Sequence, residues 1–167
     1  MNHRIDIASS TIDAWQNAAV DPAIASELEA VYAMVADQID ARGPACWASG
    51  RCCNFEAAGH RLYVTGLEAA YTIARLPPDQ VLAEPALAAA VARGGCPFQQ
   101  ANLCGVHSIK PMGCRVYFCD ESAQQWQHDV SERAMAMIRS IHDQHGVEYV
   151  YAEWRALLGA VISRANA

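Results

Sequence analysis

The chain has no unbroken apolar stretch of the roughly 20 residues that a membrane span requires. Its most apolar segments are Ala-rich, short, and interrupted by Arg, Glu or Pro, so no membrane partner is expected. Basic charge is scarce: 12 Lys and Arg against 18 Asp and Glu leave a formal charge of −6. No dense Lys/Arg stripe is present to neutralise phosphates, which argues against a nucleic-acid partner. The opening segment, Met1 to Thr11, has neither an apolar h-region nor a small-residue cleavage site. No export is therefore expected, and the cytoplasm is the expected compartment. Several catalytic signatures are missing too: no G-x-S-x-G elbow, no P-loop, no H-E-x-x-H pair and no C-x-x-x-C-x-x-C run. No repeat or low-complexity linker divides the chain, so residues 1–167 read as one domain.

What is present is cysteine. Seven occur, all between Cys46 and Cys119, in two groups: Cys46, Cys52 and Cys53, then Cys96, Cys104, Cys114 and Cys119. In a reducing compartment, clustered thiols more often bind metal or do redox chemistry than form disulfides. Thiols that served only as core residues would recur at helical spacing. These sit among Gly and Pro instead, at Gly43-Pro44, Gly50, Gly94-Gly95, Pro97, Gly105, Pro111 and Gly113. Glycine-rich loops let backbone N–H groups turn toward sulfur and help stabilise thiolates.

The flanks carry helix signals, over 11–42 and 122–164. Asp21 before Pro22 has the form of an N-cap with proline at the first helical position. Ile24, Leu28, Val31, Tyr32, Val35 and Ile39 then recur on one stripe, which Gly43-Pro44 stops. The run from Arg61 to Thr65 has strand character, with Gly59 placed to turn a small hairpin. Thr65 and Glu68 have capping-box spacing and open another helix, closed by Pro77-Pro78. A short helix starts at Pro85 and ends at Gly94-Gly95. Val130, Ala134, Met137, Ile138 and Ile141 predict a long helix ended by Gly146. A last helix is expected to carry Val150, Tyr151, Trp154, Leu157, Leu158, Val161 and Ile162. The expected fold is mainly α: a helical scaffold around a loop-rich cysteine metal centre (46–119), with at most a small β-hairpin.

The first group reads Cys46-Trp-Ala-Ser49-Gly-Arg51-Cys52-Cys53. The second contains Cys96-Pro-Phe, Cys104-Gly-Val-His107 and Lys110-Pro-Met-Gly-Cys114-Arg115-Val-Tyr-Phe-Cys119. Short spacings let one loop supply several sulfurs, and a distant second group can complete a tetrahedral site. Thiolate-rich sites suit zinc and iron–sulfur clusters and disfavour magnesium and calcium. Such sites are strongly negative, so Arg51, Lys110 and Arg115 are the candidate compensating charges. Seven thiols allow one four-ligand site with three in support, or a second site completed by His107. The other histidines have plainer readings. His142 and His145 fit a cationic helix end as well as a metal pair, and His60 is expected to face solvent. Trp47 is placed either to shield the centre or to pack on a helix, and the Tyr149, Tyr151 and Trp154 cluster reads as core.

Taken together, these motifs resemble the CxxCxxCC, or YkgJ-type, cysteine-cluster family, described as zinc- or iron-chelating. The resemblance runs from Cys46 to Cys119, including Pro97-Phe98, Pro111, Cys114-Arg115, Tyr117 and Cys119, and the strand-then-Glu segment ending at Glu68. It implies that the seven cysteines are metal ligands. The chain departs from the pattern at Ser49, where a second cysteine is expected, at Lys110 for the usual Arg, and at His107 for an aromatic. A serine hydroxyl is a harder ligand than a thiolate. The leading expectation is a binding protein for a metal ion or cluster, with [4Fe–4S] ahead of zinc, in electron transfer to a protein redox partner or in metal handling. Flagellin lysine N-methylases carry a similar region, which keeps an enzymatic redox or methyl-transfer role as the alternative. A disulfide-stapled interaction domain is the third.

Overall fold

The computed structural model describes residues 5–165. Local chemistry sets the first helices. The Asp21 carboxylate accepts from the backbone N–H groups of Ala23 (2.9 Å) and Ile24 (3.2 Å), ending α1 (Ser9–Val20) and opening α2 (Pro22–Arg42). Gly43 takes a left-handed conformation and returns its N–H to the Ile39 carbonyl, which stops α2 before the first cysteine. A single 3-10 turn, Arg51–Cys53, leads into the short α3 (Phe55–Ala58). Next come β1 (Tyr63–Thr65) and α4 (Gly66–Ala74), the latter opened by a complete Thr65–Glu68 capping box. The second half runs α5 (Glu84–Ala92), β2 (Gln99–Gln100), β3 (Leu103–Cys104) and α6 (Met112–Val116). It closes with α7 (Gln124–His145), β4 (Tyr151–Glu153) and α8 (Trp154–Ala165). The fold is mainly α, as expected.

Sheet is minor, but not where the sequence places it. Gly59 is left-handed and ends α3; it turns no hairpin. β1 instead pairs antiparallel with β4, Tyr63 opposite Glu153 and Thr65 opposite Tyr151. Tyr151 therefore lies in a strand, and α8 begins at Trp154 rather than near Val150. The ladder is extended by Gly66 N–H to the Val150 carbonyl and Trp154 N–H to the Leu62 carbonyl. A second, two-residue hairpin joins β2 and β3 inside the cysteine segment.

The core has two lobes of packing. α1, α4 and α8 enclose Trp15, Leu67, Leu157 and Leu158, while α2 packs along α7 around Leu28, Val35, Ala134 and Ile138. Full burial of each such aliphatic side chain contributes about 1.5–3 kcal/mol. Gly66 is required at the first contact: a Cβ there would lie 2.3 Å from the Trp15 ring. Among the described residues no helix is long and apolar enough to cross a membrane. The cysteine-bearing loops cross one side of this scaffold, where α6 packs against α2 and α7.

Candidate metal centre

The two cysteine groups are brought together by backbone. Gly50, left-handed, turns the first loop so that its carbonyl accepts from the N–H groups of Cys53 (3.0 Å) and Asn54 (3.1 Å). A Cβ at Gly50 would stand 2.9 Å from Gln99 and 3.0 Å from Asn102, so the first loop lies directly on the β2–β3 hairpin. The Cys96 N–H then donates to the Cys53 carbonyl at 2.8 Å, and the Arg93 guanidinium caps the Cys96 carbonyl. Cys104 follows in β3 opposite Gln99, Cys114 sits within α6, and Cys119 lies beyond its end.

Cys46, Cys52, Cys53, Cys104, Cys114 and Cys119 all line one cavity of about 490 Å³. Cys96, 4% exposed, sits behind that wall. All seven are free thiols, with no disulfide among them. The Cys53 thiol is the hub: it neighbours the sulfurs of Cys104, Cys52 and Cys96. Its S–H is the main influence drawing Cys52 and Cys104 down to about 6, and it also lowers Cys96. Cys53 itself is pushed far up, because three neighbouring sulfurs share its proton. Cys114 is pushed up first by burial and then by the thiolates of Cys96 and Cys104. Cys52, Cys96 and Cys104 thus gather around Cys53, with Cys114 close enough to be influenced by three of them, as an inner group. Cys46 is exposed at the mouth with Cys119, whose Sγ is 3.8 Å from Ser49 Oγ.

Of the three candidate cations, Lys110 faces the sulfurs. It lowers the pKa of Cys52, Cys104 and Cys114, and its Nζ donates to His107 Nε2 at 3.1 Å. That ammonium, with burial, keeps His107 below the ordinary imidazole range, so the ring stays a neutral acceptor. Arg115 also lines the cavity, but its guanidinium lies 4.0 Å over the Tyr32 ring and donates to the Ser108 carbonyl. Arg51 is outside the lining; it reaches the site through its backbone, donating to Ser49 Oγ at 3.3 Å.

The remaining histidines separate. His142 is 1% exposed and donates from Nδ1 to the Val147 carbonyl, whereas His145 meets the Glu27 carboxylate at 3.0 Å. His60 is not simply solvent-facing: its ring stacks on Tyr117 at 4.8 Å and meets Phe55 edge-on. Trp47, 62% exposed, lines the cavity mouth, while Trp154 is core and Tyr151 is half-exposed.

Two buried charged groups beside the centre were not singled out as site residues from sequence. Arg155, 1% exposed, pairs with Glu153 (2.8 Å) and Glu56 (3.2 Å). Glu68, also 1% exposed, uses both carboxylate oxygens. The capping-box spacing signals half of what Glu68 does; nothing local signals the rest. Among the described residues, no group of three or more Cys, His, Asp or Glu side chains is arranged so that it could hold a metal ion as it stands. No family model, no curated protein and no solved structure matches the chain.

Proposed function

We propose that this chain is a cysteine-ligated metal-binding protein of the CxxCxxCC, YkgJ-type kind, holding an iron–sulfur cluster through Cys52, Cys53, Cys96 and Cys104. The observation that carries the reading is that the fold brings thiols of both sequence groups together: Cys52, Cys53 and Cys104 line one cavity, and Cys96 is tied behind them by its N–H to the Cys53 carbonyl. Four soft donors with Cys114 adjacent suit iron–sulfur or zinc chemistry. The cavity favours the cluster over a single ion. A tetrahedral zinc fills the space between its own sulfurs at about 2.3 Å and needs no void beside it, whereas about 490 Å³ adjoins these thiols.

The surroundings fit a sulfur-rich anion. The Trp154 indole N–H is buried without a hydrogen-bond partner and lies beside the Cys96 thiol. A thiolate there supplies the missing acceptor. Lys110, the only lysine in the chain, offsets charge on the inner thiolates, and Ala36, Ile39 and Phe118 keep part of the cavity wall apolar. A bound cluster supplies one-electron redox chemistry, and the role that follows is electron transfer or metal handling.

Anaerobic purification followed by elemental analysis and an optical spectrum tests this reading. Brown protein with iron and acid-labile sulfide supports it. Colourless protein with stoichiometric zinc replaces the cluster by a structural ion, and protein free of both after reconstitution rejects the reading. Chelation is expected to open the 46–119 segment to proteolysis, because binding energy at such sites is folding energy.

A further inference from the structure

We propose that Glu68 is a positioning residue for the thiol centre: from α4 it fixes the segment that presents Lys110 and Cys114 to the cavity. The inference rests on the metal-binding reading for its functional meaning and on geometry for its content.

A capping-box glutamate needs only one oxygen. In α4, Oε2 does that work, accepting from Thr65 N–H and Thr65 Oγ1, both at 3.0 Å. Oε1 is committed elsewhere. It accepts from the Met112 N–H at 2.8 Å and from the Tyr32 hydroxyl at 3.3 Å. Four donors therefore meet one carboxylate that is 1% exposed. This is the full acceptor capacity of an ionised acid, and a helix cap alone has no use for half of it.

The groups held by Oε1 lie on either side of the centre. Met112 begins α6, a five-residue helix whose N-cap is Pro111 and which has no side-chain cap of its own. A helix that short is not stable by itself, so its placement comes from outside contacts. One turn along α4, the Thr72 hydroxyl shares its one proton between the Glu68 carbonyl at 3.0 Å and the Ile109 carbonyl at 3.1 Å. Glu68 and Thr72 thus grip the chain at Ile109 and Met112, immediately before Lys110 and just before Cys114. Tyr32, the other group on Oε1, carries the Arg115 guanidinium on its ring, which steadies the residue after Cys114. Among the described residues, α6 itself hydrogen-bonds to no other helix; α7 holds the chain only after its end, where Gln127 bonds both backbone groups of Phe118.

The test compares Glu68→Gln with Leu158→Ala, a core truncation remote from the cysteines, and with Thr72→Val. Glutamine keeps the length but turns one acceptor oxygen into a donor, so the four bonds cannot all form. In metal-free protein, alkylation with iodoacetamide is followed cysteine by cysteine by mass spectrometry. The Cys114 rate, normalised to Cys96, is expected to rise about tenfold in Glu68→Gln, the change implied by one lost hydrogen bond to a charged group. A smaller rise is expected in Thr72→Val, and none in Leu158→Ala despite its lower Tm. Iron-and-sulfide-loaded Glu68→Gln is expected to lose metal to a chelator faster than Leu158→Ala. An unchanged Cys114 ratio in both α4 variants overturns the proposal. A changed ratio in a protein whose wild type retains no metal keeps the positioning role and removes the metal-binding reading.

Discussion

Ser49 Oγ stands 3.8 Å from Cys119 Sγ. The hydroxyl occupies the place in the first cysteine group where the resembled pattern has a thiol, and the structure seats it against a thiol of the second group. Ser49→Cys is therefore expected to cross-link to Cys119 when the metal-free protein is oxidised in air. Non-reducing peptide mapping would show the linked fragments with the loss of two hydrogens. Only free thiols at both positions would mean that the 43–50 loop does not hold Ser49 where it is described.

Lys110 adds to the larger effect of the Cys53 S–H on the inner thiols. Lys110→Met removes the cation that lowers Cys52 and Cys104, so both pKa values are expected to rise from about 6. At pH 6 fewer thiolates remain, and alkylation of Cys52 and Cys104 should slow about twofold to fivefold, the size of a solvent-screened ion pair. At pH 9 the rates should match the wild type. Equal rates at both pH values would show that Cys53, not Lys110, controls these thiols.

Arg155 holds the floor beneath the first cysteine loop. It is buried, pairs with the nearly buried Glu153, and reaches Glu56 in α3. Arg155→Ala leaves Glu153 unpaired and is expected to cost about 3–5 kcal/mol in urea unfolding. Glu56→Gln removes a half-exposed partner and should cost under about 1 kcal/mol. Similar losses in the two variants would make Glu56 the stronger partner.

The legible parts of the molecule were those written locally. The Asp21-Pro22 cap, the Thr65–Glu68 capping box and the Gly43 and Gly146 stops each involve residues within one turn of one another, and each is found in place. The β1–β4 pairing was not legible, because Tyr63 and Glu153 are far apart and Val150, Tyr151 and Trp154 fit a helical stripe as well as a strand end. The cysteine segment was visible as a candidate centre from spacing. Its internal partition was not, since Arg51 and Arg115 adjoin cysteines in sequence and Lys110 does not, yet the fold turns Lys110 toward the sulfurs while Arg115 goes to Tyr32. His60 failed for the same reason: its stack on Tyr117 is tertiary.

His142 predicts a pH dependence of folding. Its Nδ1–H is bonded to Val147, while its Nε2 is buried without a partner, and burial holds its pKa below the ordinary 6.5. The unfolded chain therefore binds the proton more readily. The stability this group contributes is complete above about pH 6.5 and is lost as pH falls through that value toward the lower folded pKa. In Tm measurements between neutral pH and pH 5, His142→Gln should show a flatter decline than the wild type. His60 and His107, shifted the same way, keep part of the slope. Identical slopes would show that His142 is protonated in the folded protein.

The β1–β4 ladder also has a bearing on biosynthesis. Tyr63 is paired with Glu153, and at about 5–20 residues per second the first is made on the order of ten seconds before the second. Cys46, Cys52 and Cys53 emerge before either strand, so through that interval they are bare thiols on a nascent chain. The ladder that anchors α4, and through Glu68 the Cys114 wall, is completed only once Glu153 has been made.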